Sequence, residues 1–192
     1  MRTITFLWFW KICWNNDKPW TLVFSLMIPL VPMGIICEIN RFLNTKKISY
    51  LSLLLCLALT AWVNEIILKP ILAVPPLDDS CFSGCYAPST LVAMGFASVT
   101  LYIARMLFYA PKDRFSLTGW AIAAICSFVA HPFINYLTWL YDGISIIPGV
   151  IIGILWAIFC EGKGFPVTMY KIGRMLKLEN DLNGINLKEE NL

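Results

Sequence analysis

Histidine is almost absent from this sequence: His131 is the single one among 192 residues. Charge is scarce as well, at 14% of residues, and 15 Lys+Arg against 12 Asp+Glu leave a net charge of +3. A nucleic-acid partner needs a concentrated basic face, so that class is set aside. The seven cysteines, at 13, 37, 56, 81, 85, 126 and 160, form no C-x-x-C pair and have no histidine partners at zinc spacing. A structural zinc site is therefore not expected, nor any other metal or cofactor, and most of these thiols are read as small apolar groups in or beside membrane helices.

What the chain has in abundance is apolar surface. Hydrophobic residues make up 58% and mean hydropathy is +0.69, which argues against a soluble domain and for an all-α integral membrane protein. A hydrocarbon core about 30 Å thick takes roughly 20 apolar residues in a helix, because each backbone polar group must be satisfied within the segment. Five stretches meet that test: Pro19 to Ile39, Ile48 to Leu68, Pro88 to Ala110, Phe115 to Asn135 and Gly143 to Cys160. The expected organisation is a segment 1–18 at the interface, a bundle of five spans over 19–160 and a polar tail over 161–192.

Ile4 to Trp14 is apolar and rich in tryptophan but too short to cross, which predicts a helix lying in the interface with Lys11 and Lys18 at headgroup depth. Three tryptophans and the lack of a small-residue cleavage site argue against a cleaved signal peptide. In the tail, Gly164 to Leu178 mixes apolar and basic residues as a surface-lying helix does, whereas Asn180 to Leu192 is too polar to fold alone. With five spans, 11 of the 15 Lys and Arg gather at one end of the bundle, which predicts that end as the inner one. The segments 69–87 and 136–142 then share the outer end.

Between the second and third spans a lysine leaves the end of a helix (Lys69), a proline-containing loop follows, then a glycine-cysteine turn, and Pro88-Ser89 opens the next helix. With Gly149-Val150-Ile151-Ile152-Gly153 in the last span, this arrangement over Asn64 to Ala157 resembles the type 2 phosphatidate phosphatase superfamily, and within it the dolichyl-diphosphatase branch. That family brings three motifs to one membrane face, K-x6-R-P, P-S-G-H and S-R-x5-H-x3-D. Cationic groups and a helix N-terminus hold the phosphate, one histidine attacks phosphorus, an aspartate orients it and a second histidine protonates the leaving oxygen, with no metal.

Carried across, Lys69 matches the first lysine, but Pro76-Leu77 stands where Arg-Pro is expected. Pro88 and Ser89 match the second motif, with Thr90 and Leu91 in place of glycine and histidine. Anchoring on Gly149 and Gly153 puts Ile134-Asn135 at Ser-Arg, Tyr141 at the nucleophilic histidine and Ser145 at the aspartate. A two-histidine mechanism cannot run on His131 alone, and each lost acid or base is worth about 10² to 10⁴ in rate. The resemblance therefore implies a pseudoenzyme: no catalytic residues, vestigial phosphate-site positions at Lys69, Pro88, Ser89 and Tyr141, and a role as a lipid binder or an accessory subunit of a membrane complex. Its partners would be membrane lipids and other protein chains. The alternative is a divergent, active lipid phosphatase on dolichyl diphosphate or phosphatidate.

Each candidate also has a plainer reading. Lys69 can contact a lipid phosphate, or pair with Glu65 one helical turn away, and the second is favoured. His131, a second candidate for lipid contact, is more simply hydrogen-bonded to a neighbouring helix beside Pro132. Cys81 and Cys85 can close a disulfide on an oxidising side or stay free. Gly149 and Gly153 form a G-x-x-x-G, read mainly as internal helix packing. The membrane is the endoplasmic reticulum if the dolichyl branch guides the choice, or the mitochondrial inner membrane if the chain is a complex subunit.

Overall fold

Apolar residues cover the outside of this protein as well as its inside. In a computed structural model, which describes residues 2–7, 10–14, 17–74, 87–108, 113–134, 137–159 and 173–179, Ile71, Leu107, Phe115, Leu140 and Phe159 are all more than 60% exposed. A water-soluble domain does not turn such a surface outward; a bilayer solvates it. Among the described residues, five helical stretches are long and apolar enough to cross a membrane: Trp20–Thr45, Ile48–Leu72, Thr90–Leu107, Arg114–Phe133 and Trp139–Phe159. The chain is an integral membrane protein built from α-helices.

The first stretch is two helices, α1 (Trp20–Met27) and α2 (Leu30–Thr45), parted at Ile28-Pro29 because proline has no N–H to continue the ladder. The second is α3 (Ile48–Trp62), a wide π turn over Val63–Leu68 and the short α4 (Lys69–Leu72). Then follow α5 (Thr90–Phe108), α6 (Arg114–Phe133) and α7 (Trp139–Phe159). Asp113 caps α6, accepting from Ser116 N at 3.0 Å.

The core lies where α5 passes between its neighbours, among Leu53, Leu57, Met94, Ala97, Leu101, Trp120, Ala123 and Ile152. Small residues let the backbones close in. A Cβ on Gly153 would sit 2.8 Å from the Ala97 carbonyl oxygen, and one on Gly149 would collide with the carbonyl of Ala93. The G-x-x-x-G of α7 is thus an internal contact against α5, whose side chains there are alanine and Thr100.

Three expectations need correction. The described part of the interfacial segment is not helical: Arg2–Leu7 (β1) and Trp10–Trp14 (β2) pair antiparallel, with Ile4 opposite Ile12 and Thr5 opposite Lys11. Threonine, isoleucine and tryptophan favour a pleated surface, and a pairing partner so close in the chain lets that preference win. The last span begins at Trp139 rather than Gly143, so Tyr141 and Asp142 belong to the first turn of α7 and Asp142 N donates to the Thr138 carbonyl. The first span runs to Thr45 instead of Ile39, which carries Arg41 inside a helix.

Most of the surface-lying helix expected over Gly164 to Leu178 falls outside the described residues, as do Cys81 and Cys85. Of the tail, Gly173–Glu179 is described. It makes one helical turn, and Glu179 then bridges the α2–α3 corner, its N–H donating to Lys46 O at 2.9 Å while Ile48 N donates to Glu179 O at 3.0 Å.

Candidate functional site

At the end of the bundle where α5 and α7 begin, polar side chains from four spans meet. Asn64, at the start of the π turn, continues the inward stripe of α3 and is fully buried. Its Nδ2 donates to the Pro88 carbonyl at 3.0 Å and to Thr90 Oγ1 at 2.9 Å, tying α3 to the start of α5. Thr90 Oγ1 donates to Glu65 Oε1, which also receives Lys69 Nζ at 2.6 Å. Lys69 therefore spends its ammonium on Glu65, with 15% of its side chain exposed.

Ser89 has two roles. Its Oγ accepts from Val92 N at 3.4 Å across the first turn of α5, and its own N–H donates to Ser145 Oγ at 2.6 Å. Ser145 in turn donates to the Tyr141 carbonyl at 2.9 Å. The position matched to a catalytic aspartate thus holds a hydroxyl that joins α7 to the backbone at the head of α5. Tyr141 stands one turn earlier on α7 and is half-buried.

The single histidine lies at the same end. His131 Nδ1 is 3.0 Å from Asp142 Oδ1, with 2% and 0% of the two side chains exposed. Asp142 Oδ2 and Asn64 Oδ1 are buried without a hydrogen-bond partner among the described residues. Lys69, Pro88, Ser89, Tyr141 and His131 are therefore gathered at one end, each linked to a neighbouring span or within a turn of a residue that is. Among the described residues no three His, Cys, Asp or Glu side chains group as metal ligands.

A second polar cluster, absent from the sequence reading, occupies the opposite end. Glu38, 3% exposed, accepts on Oε1 from Trp120 Nε1 at 3.1 Å, Tyr102 OH at 3.3 Å and Arg41 Nη1 at 3.4 Å. Arg41 Nη1 also donates to Ser116 Oγ at 2.5 Å, and Ser116 donates onward to Asp113 Oδ2 at 2.6 Å. Arg105, 4% exposed, donates to the Ser49 carbonyl at 2.8 Å and lies over the Tyr102 ring. Ionisable residues inside apolar spans are the available clue to such a cluster, since they are costly there unless paired.

No family model matches the chain, and neither a curated protein nor a solved structure is significantly similar to it.

Proposed function

We propose that this chain is a non-hydrolytic membrane protein on a lipid phosphate phosphatase-like frame, serving as a structural component of a membrane assembly and a contact for lipids. One observation carries the reading. The polar groups at the end where a phosphatase would hold phosphate are spent on each other: Lys69 on Glu65, Ser89 N on Ser145, Asn64 on Pro88 and Thr90. Hydrogen bonds between membrane helices contribute about 0.6 to 2 kcal/mol each, so this network braces the bundle. A phosphate entering it would have to displace the Glu65 carboxylate from Lys69, and no second cation stands in the matched motifs to compensate.

A second reading rests on His131. An imidazole oriented through Nδ1 by a buried carboxylate is the arrangement that activates a nucleophile or base. Burial of both partners and the lack of a second histidine weigh against it.

Purified chain in mixed micelles, offered phosphatidate and a polyprenyl diphosphate, separates the two. Phosphate release at the level of protein-free micelles, the same for wild type, Lys69→Ala and His131→Asn, is the expected result. Release above that level which disappears in His131→Asn establishes the enzyme instead.

A further inference from the structure

The cluster around Glu38 borders a groove of about 210 Å³ between α2 and α6 that the outer-end reading leaves unused. Glu38 and Trp120 are its buried floor; Arg41, with 34% of its side chain exposed, and the outward Phe115 stand at its rim. Its polarity changes along the helix axes. Arg41 is four residues from the end of α2 and Ser116 two residues past the start of α6, so at 1.5 Å per residue both lie within about 6 Å of the helix ends. Leu30, Gly34, Ile122 and Ala123 continue the groove toward the bilayer middle.

The floor is incomplete. Three donors crowd Glu38 Oε1, whereas Oε2 is buried with no partner among the described residues. A carboxylate oxygen left without a donor in apolar surroundings carries a desolvation cost that a ligand N–H would relieve. The rim offers the opposite polarity: the described bonds of Arg41, which lines the groove, all run through Nη1, and its other guanidinium N–H groups have no bond to a described residue. Asp113, the other carboxylate nearby, is occupied by Ser116 N and Oγ.

An acceptor inside, donors at the rim and an apolar channel running deeper complement one kind of molecule. We infer that the groove seats an amine-bearing zwitterionic phospholipid, with its phosphate on Arg41, its ammonium on Glu38 and an acyl chain along Gly34, Gly119 and Ile122. A choline headgroup has no N–H to give Glu38, and a glycerol headgroup has no cation. The site lies at the opposite end of the bundle from Lys69 and Ser89 and does not depend on the phosphatase-like reading.

The full chain, purified in detergent and mixed with equal phosphatidylethanolamine, phosphatidylcholine and phosphatidylglycerol, is tested by native mass spectrometry. Ethanolamine lipid should be retained about tenfold over each of the others, the scale of one hydrogen bond to a charged group. Gly119 lines the groove, and a Cβ there meets nothing within 4 Å, so Gly119→Leu is the substitution chosen to fill it. It should abolish the preference at unchanged melting temperature. Glu38→Gln keeps an acceptor for Trp120 and Tyr102 and should lose the preference over phosphatidylglycerol. Equal retention of the three lipids, a preference that survives Gly119→Leu, or a second protein chain held in place of lipid and released by Gly119→Leu would each overturn the assignment.

Discussion

His131 and Asp142 stand 3.0 Å apart, Nδ1 to Oδ1, although eleven residues and the turn between α6 and α7 separate them in the chain. The pair pins the end of α6 to the first turn of α7, with both side chains buried. Removing one partner breaks a buried hydrogen bond between the two helices, a change that costs about 1 to 3 kcal/mol. Asp142→Leu should therefore lower the melting temperature of the purified protein sharply. The double change His131→Leu with Asp142→Leu should recover most of the loss, and failure of the double variant to recover would show that the pair does more than satisfy itself.

Asn64 gives a milder test. Substitution by leucine removes two interhelical hydrogen bonds and leaves the Pro88 carbonyl without that donor, a loss of roughly 1 to 3 kcal/mol. The effect should appear in chemical denaturation and as faster hydrogen exchange at the head of α5.

Two glycines on α7 should respond oppositely. Gly149→Ala drives a methyl into the Ala93 carbonyl and should cost about 1 to 3 kcal/mol through separation of α5 from α7. Gly143→Ala meets nothing within 4 Å and should be neutral or gain up to about 1 kcal/mol from helix propensity. Parallel melting curves decide it, and equal destabilisation of both would refute the packing assignment.

At the α2–α3 corner, Gly173 packs on the Ile48 side chain, and a Cβ on it would have to displace the terminal Ile48 Cδ1, a demand that a branched side chain increases. Gly173→Val should detach the segment 173–179. The Ile48 amide, which donates to Glu179 O, should then exchange faster while the bundle's melting temperature stays within a few degrees.

Much of this was legible in the residues. The five spans follow from apolar length alone, the Gly149/Gly153 contact from small residues four apart, and the Glu65–Lys69 pair from a separation of four positions. The His131–Asp142 pair is hidden in the sequence because apolar length alone starts the last span at Gly143 and places Asp142 in a loop. Glu38 and Arg105 each stand as a single charge in an apolar stretch, and their partners come from other spans, a relation that periodicity does not carry. The N-terminal hairpin was missed because tryptophan and isoleucine suit an interfacial helix and a strand pair equally, and cross-strand register decides between them.

The wide turn over Val63–Leu68 also sets a rotational phase. Ser52, Cys56, Thr60 and Asn64 are buried at four-residue intervals, and after Asn64 the sequence passes to Glu65 and Lys69 on a different side of the helix. A π turn holds one residue more than an α turn. Ordinary α winding over the same residues would swing Lys69 around the helix axis, whereas deleting one residue within 65–68 restores ordinary winding with Lys69 close to its present direction and Asn64 in place. The direction of the outer quarter of this span is thus held by the wide turn, and the part that packs in the core lies before it and is left undisturbed.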